Sequence, residues 1–598
     1  MVELFEFLRE IFSPRGYLRR WVPLSILIGI AAGFGSLSLM FLIDFFNSIF
    51  LREFAGLVLP TPAGEGGREF IPSPNPPLIA VAVAVGGLLS GLVVYLTAPE
   101  AKGDGVDVAI EAFHHKQGEM KPHIPLIKLL ASGLTIGSGG SAGREGPIGL
   151  TSAGFASLIG RVFNLSPRDR RTAVAAGLGA GIGSIFKAPF GGALLAAEII
   201  YRQDFEIQAL VPAFIASVIG YSINASILGW NPIFTNPQFF FHEPVSLIFY
   251  GLLGVVCGLV GIAYVKVFYG VSSFFTRLNI PNYVKPAVGG LAVGVIGMFF
   301  PYILGTGYGW IQRLILMEDE ALTSIYFIVA MIVAKIFVTS LTVGSGGSGG
   351  AFAPSLVIGG FTGALIWSIL DTLNIPTKTS LAAFVMVGMM AFFGGVGKAP
   401  ISAILMVSEM SGTYSLLVPS MVATVIAYVI TGKHTIYASQ VPTRRDSPAH
   451  SLDYAIPLLT QIKVKDAMTP NPISITPETM IEDAMKIMLD RKIRGLPVVK
   501  DGRLVGVVTH SDLLRAKVEG RHNIPVDEIM TRRVTVALPD ETLFSAFDKM
   551  TEKGIGRLPV VDSQSSMRLV GIITRGDIGH VYELSVQRII KAKQEEMI

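Results

Sequence analysis

Arg144 and Glu145 stand side by side in GSGGSAGREGP, Gly137–Pro147, a segment otherwise built of glycine, serine, alanine and proline. An ionisable residue is expensive at membrane depth, so one that persists there is read as functional. The segment recurs as GSGGSGGAFAP at Gly344–Pro354, an offset of 207 residues. Each copy runs into an apolar stretch, at Gly143–Gly149 and Gly349–Leu356, and predicts a glycine-rich approach to a helix N-terminus. Free N–H groups and the positive end of the helix dipole attract anions there, and glycine lets the backbone come close to the ion. This arrangement suits a small dehydrated anion held by partial charges, which bind it and still release it. A lysine or arginine in the path would hold it too tightly.

Other chemistries fit less well. A phosphate-cradling loop needs GxxxxGK[ST], and the nearest lysines give GKAP at Gly397–Pro400 and GKHT at Gly432–Thr435. Small residues at helix interfaces account for glycines in general, but not for the Arg144–Glu145 pair. No histidine, cysteine or paired-carboxylate constellation offers catalysis, since His114 and His115 are adjacent and point apart on a helix. The single cysteine, Cys257, lies in an apolar run, which excludes an internal disulfide and a cysteine-built metal site. Neither an enzyme nor a metal centre is expected.

Residues of this kind must be positioned by a membrane domain. The chain of 598 residues is 51% hydrophobic and 15% charged, against about 25% charged in an ordinary soluble protein. The imbalance is local: 40 of the 92 charged residues follow Thr460, about 29% of that stretch against about 11% before it. Trp21–Leu42, Leu78–Leu96, Val245–Val265 and Pro286–Leu304 are apolar runs, long enough to cross a hydrocarbon core of roughly 30 Å. The first is too long for a cleavable signal, and no small-residue cleavage site follows at Asp44–Asn47. Arg9, Arg15, Arg19 and Arg20 precede the first span, and Arg444 and Arg445 follow the last apolar block. The positive-inside bias therefore predicts two cytoplasmic termini and an even net number of crossings. A net charge of +4, mostly juxtamembrane, gives nucleic-acid binding no support.

A second repeated pair, KAPFGGALLAAE at Lys187–Glu198 and KAPISAILMVSE at Lys398–Glu409, has an offset of 211. Two matched pairs predict homologous halves that meet around a midplane site. If the halves are inverted, both glycine-rich segments reach the same depth from opposite sides. Glycine and proline cut the apolar sequence into pieces shorter than a span, as in broken helices lining a pathway. The expected fold is an all-α polytopic membrane domain of two inverted repeats with broken helices, followed by an α/β domain. The expected limits are a cytoplasmic N-terminal segment 1–20, a membrane domain 21–440 (repeats about 21–225 and 245–440), a linker 441–459 and a paired domain 460–598.

GREGP (Gly143–Pro147), GAFAP (Gly350–Pro354) and Tyr437 in GKHTIYAS resemble the three signature segments of the CLC chloride channel and transporter family, prokaryotic type. The resemblance runs in order from about residue 20 to 445. It implies a homodimer in the cell membrane, each subunit with its own anion pathway. It gives Glu145 the role of external gate, a carboxylate competing with the transported anion for the same donors. It assigns the backbone N–H groups of Ala351 and Phe352, with the Tyr437 hydroxyl, to a central anion site. Those of Arg144 and Gly146 go to an outer one.

Two departures from the family pattern stand out. KGDGVD, Lys102–Asp107, puts Asp104 where a serine hydroxyl usually faces the central anion. A carboxylate there repels chloride unless it is protonated or turned away, which leaves a proton carrier, a selectivity determinant or a displaced loop open. In KAPFGGALLAAEI, Glu198 matches the first of two consecutive glutamates typical of many exchangers, and Ile199 replaces the second, the family's internal proton-transfer residue. That tilts toward passive conduction, while water or another acid could still bring protons to Glu145.

The tail repeats RGLPVV, Arg494–Val499, as GRLPVV, Gly556–Val561, 62 residues on, with THSD and TRGD closing the copies, about 463–518 and 526–585. It resembles a CBS domain pair. In such pairs a threonine and an aspartate can hold the ribose of an adenine nucleotide (ATP, ADP or AMP), which points to Thr509, Asp512, Thr574 and Asp577. No cofactor is required, and a dimerising scaffold with the aspartates as helix caps is the competing reading. The leading function is permeation of chloride or a similar small anion, gated by Glu145 and regulated by the CBS pair, as a passive channel or a weakly proton-coupled exchanger. The implied partners are that anion, protons, the lipid bilayer and a second copy of the chain. The alternatives are a proton-coupled antiporter for nitrate, bromide or fluoride, and a membrane-tethered nucleotide sensor without flux.

Overall fold

Apolar runs punctuated by glycine and proline fold into helices of unequal length. The structure, a computed structural model, describes residues 17–235, 244–375, 379–450 and 458–595. Arg9 and Arg15, and residues 451–457 of the expected linker, lie outside the described residues. The chain divides into two compact units, Met1–Ala449 and His450–Ile598.

In the first unit, six helices among the described residues are long and apolar enough to cross a membrane, including Arg20–Phe54, Pro77–Thr97 and Pro244–Arg277. Others, such as Ile124–Gly137 and Leu381–Gly397, are apolar but shorter. Among the described residues each half holds eight helices, Tyr17–Asn47 through Ile207–Leu228 and Leu247–Arg277 through Leu417–Thr431. Local chemistry sets their starts. Proline occupies the first turn of Pro167–Ile185, Pro189–Glu198 and Pro400–Ser411, where its missing N–H costs nothing. Ser166 caps Pro167–Ile185 through the Asp169 N–H, and Ser380 caps Leu381–Gly397 through that of Ala383. Every residue of Leu381–Gly397 is buried, as a helix apolar all round must be. It crosses Phe352–Thr372 at Gly388 and Gly359, where a Cβ on either residue would strike the other's carbonyl oxygen.

The repeat becomes a local two-fold. Gly143 and Gly350 exchange both backbone hydrogen bonds, N–H to O at 2.7 Å each way, as an antiparallel bridge. Ser132 meets Ser348 at 2.8 Å, and their counterparts Thr339 and Ser141 meet at 3.1 Å. Glu198 accepts the N–H groups of Ile401 and Ser402 at 3.1 and 2.8 Å, capping the start of Pro400–Ser411. Glu409 reciprocates, accepting from Phe190 and Gly191 at 3.1 and 2.7 Å at the start of Pro189–Glu198. Each half thus caps the other's broken helix, and Glu198 is bound in structure.

The second unit contains two hairpins, Gly495–Lys500 with Arg503–Thr509 and Arg557–Val561 with Leu569–Thr574, each with a bulge at its paired valines. The helices Ile481–Asp490 and His510–Val518 accompany the first, Leu543–Glu552 and Arg575–Glu595 the second. The leading segments are exchanged. Val526 packs in the core of Leu496, Val498 and Leu513, while Val464 packs in that of Leu543, Leu558 and Ile573.

Glu198→Ala leaves two N–H groups of a helix start without an acceptor, at about 1–3 kcal/mol for the buried one on Ser402. The variant should melt earlier than wild type in detergent. Glu409→Ala should cost less, because Glu409 is half-buried where Glu198 is 3% exposed. An unchanged melting temperature for Glu198→Ala would refute the capping role.

Candidate functional site

The start of Phe352–Thr372 offers few free donors. Pro354 carries no N–H, which leaves those of Ala351, Phe352 and Ala353. All three are taken by carboxylates. Phe352 and Ala353 donate to Glu145 Oε1 at 2.6 and 3.1 Å, and Ala351 donates to Asp104 Oδ2 at 2.7 Å. The Gly143–Gly350 bridge lays the two glycine-rich segments against each other, so that Glu145, first residue of Glu145–Val162, reaches across to the other half.

Glu145 is fully buried, and its Oε2 has no hydrogen-bond partner. The Tyr437 hydroxyl is also buried without a partner, within electrostatic reach of Asp104 and Glu145. Glu145 Oε2 thus keeps unused capacity at this helix start, with the Tyr437 hydroxyl within electrostatic reach. Phe186 and Phe393 pack on Phe352, at ring centroid distances of 5.1 and 4.0 Å, and wall the site with apolar surface.

Asp104 is half-buried and has a second task. Its Oδ1 accepts the Val106 N–H at 2.8 Å and caps Gly105–His115. Gly105 lies so close to Gly146 that a Cβ on it would strike the Gly146 carbonyl oxygen, and a Cβ on Gly146 would lie 2.9 Å from Asp104 Oδ1. The expected residues Asp104, Glu145, Gly146, Ala351, Phe352 and Tyr437 thus share one region. Arg144 belongs to it through its backbone only. Its guanidinium pairs with Glu65 and lies over the rings of Phe186 and Tyr308, 5.7 Å from each centroid.

Lys128 went unnoticed in the sequence. Its buried ammonium donates to the carbonyls of Gly103 at 2.6 Å and Ala101 at 3.0 Å, fixing the backbone that presents Asp104. Lys335, 207 residues on, donates to Ile303 and Gly305 at 2.9 Å each. A lysine recurring at the repeat offset was the available signal. Glu65 gave none, because it lies in a loop far from both motifs in sequence.

In the second unit, Thr509 and Asp512 bond each other at 2.6 Å as a helix cap, and Thr574 and Asp577 do so at 2.8 Å. A cavity of about 960 Å³ opens between the two copies. Of those four residues Thr509 lines it; Asp512, Thr574 and Asp577 do not. Lys492, Arg494, Arg533, Lys553 and Arg557 line it as well, and no acidic residue does. Burial, then the neighbouring Arg494, hold the Arg557 guanidinium below its ordinary pKa. Among the described residues no group of three or more His, Cys, Asp or Glu is placed to hold a metal.

A two-fold of broken helices whose N-termini face a buried carboxylate defines a membrane anion transporter. Residues 86–432 match the family described as voltage gated chloride channel, and residues 464–519 and 526–582 each match the CBS domain. The chain belongs to that family, whose members are chloride channels and H+/Cl− exchangers, and carries two CBS domains. An uncharacterized protein of Methanocaldococcus jannaschii is 30% identical over 418 residues, covering 70% of this chain and 95% of its own length. The chloride channel protein CLC-f of Arabidopsis thaliana is 28% identical, over 73% of this chain and 64% of its own. A crystal structure of a slow cyanobacterial Cl−/H+ antiporter, 22% identical, covers 69% of this chain and 93% of its own with a TM-score of 0.59, and shows the shared fold.

A Cβ at position 350 would strike the Glu145 carboxylate and lie 2.8 Å from the Gly146 nitrogen. Gly350→Ala should therefore expel the carboxylate from its N–H cradle without removing the acid. Anion flux from proteoliposomes should lose most of its dependence on pH. A variant that folds and keeps the wild-type pH profile would show that the seating of this carboxylate has no part in the flux.

Proposed function

We propose that the chain passes chloride or a similar small anion across the membrane, with Glu145 as the gate. The observation that supports this most is the Glu145 carboxylate seated on the Phe352 and Ala353 N–H groups. An anion and this side chain are rivals for the same donors, and a proton on Glu145 settles the contest for the anion. The Tyr437 hydroxyl then completes the inner position with the Ala351 and Phe352 N–H groups, while the Arg144 and Gly146 N–H groups form the outer one. Domain limits at 21–440 and 460–598, cytoplasmic termini and a homodimer with one pathway per subunit complete this reading.

Glu145→Gln keeps the shape and removes the charge. In reconstituted protein it should sustain anion flux while losing any proton movement and its response to pH. A reversal potential under a pH gradient measures both. Wild-type protein without flux, or a variant with unaltered proton coupling, would sink the assignment.

For the tail we infer an adenine nucleotide in the basic cavity, its phosphates among Arg494, Arg533 and Arg557, acting as a regulator of flux. Binding to the folded state alone raises stability, so ATP should raise the melting temperature of the full chain. Arg557→Ala should reduce that shift severalfold. No shift with ATP, ADP or AMP would leave the pair a scaffold.

A further inference from the structure

Asp104 does not stand aside from the anion path; it occupies it. The Ala351 N–H, one of the three donors left at the start of Phe352–Thr372, is bonded to Asp104 Oδ2, and the other two are bonded to Glu145. Two carboxylates on consecutive donors, with the unpartnered Tyr437 hydroxyl within electrostatic reach, leave none of these three donors to a transported anion until one of them yields. We propose that Asp104 is a second, proton-operated competitor for the anion, holding the Ala351 donor of the inner position while Glu145 holds the Phe352 donor. This rests on the permeation reading above.

Asp104 lies in a cluster of ionisable groups. Facing it are Lys128, held on the Gly103 and Ala101 carbonyls, and the carboxylates of Glu145 and Asp107. Asp107 itself accepts the Ser439 N–H at 2.7 Å. The remaining neighbours, Tyr264, Tyr269 and Tyr437, are neutral phenols. One cation thus faces three carboxylates. Asp104 also keeps partial exposure, where Glu145 has none.

The step balances. A proton from water adds to Oδ2, and the neutral carboxyl releases the Ala351 N–H. The anion takes that donor, so one negative charge replaces another. When the anion leaves, the proton returns to water and the carboxylate to the N–H. Ile199, apolar where many exchangers carry a second glutamate, then needs no substitute, because the proton-accepting group lies beside the anion.

Glu145→Gln, purified as the full chain, isolates Asp104 for calorimetric chloride titration. Its chloride affinity should strengthen as pH falls, by up to about tenfold per pH unit, the limit for one linked proton. Glu145→Gln with Asp104→Ser should bind chloride more tightly at neutral pH and with no pH slope. Asp104→Asn in the same background should also be flat, and both serine and asparagine still cap Gly105–His115. A flat profile in Glu145→Gln alone, or a slope surviving in both double variants, would overturn the proposal. Glu145→Gln flux that keeps its proton coupling would instead remove the reading beneath it.

Discussion

Backbone N–H groups at membrane depth have no water to bond, and each one left alone costs several kcal/mol. A helix that breaks inside a bilayer therefore needs a partner for its first turn. In this chain three of the four breaks find theirs across the two-fold. Glu198 and Glu409 serve the pair at Pro400 and Pro189, and Glu145 with Asp104 serves Phe352. The Gly143–Gly350 bridge, where the two glycines share both hydrogen bonds, lets the fourth approach closely enough.

One device thus has two uses. Where the acceptor is locked, as with Glu198, which also accepts the Ser402 hydroxyl at 2.5 Å, the cap is structural. Where one oxygen is left unpartnered, as with Glu145 Oε2, the same geometry fits the exchangeable anion seat proposed for it. The difference lies in how many donors surround the carboxylate, not in the residue type. Arg144 follows the same logic. Its guanidinium is engaged by Glu65 and two aromatic faces, so its full charge is already compensated away from the Phe352 helix start.

The second unit repeats the theme in water. Its threonine–aspartate pairs close capping boxes, and the chemistry of the cavity comes from arginines and lysines on other elements. The threonine–aspartate pairs act as caps in the fold, while two of the cavity arginines, Arg494 and Arg557, belong to the repeated RGLPVV and GRLPVV segments.

Periodicity, apolar length and the recurrence at 207 and 211 residues already determined two membrane halves, their glycine-rich junctions and the paired α/β tail, because burial and repetition are properties of a line of residues. Glu145, Ala351, Phe352 and Tyr437 were legible for the same reason: they sit in motifs. Which oxygen meets which N–H was not. Asp104 read as a misfit, and Lys128 and Glu65 drew no notice, since their roles depend on backbone that arrives from elsewhere in the chain. Only the folded two-fold, by bringing Gly143 within 2.7 Å of Gly350, decided that two carboxylates would share the three donors of one helix.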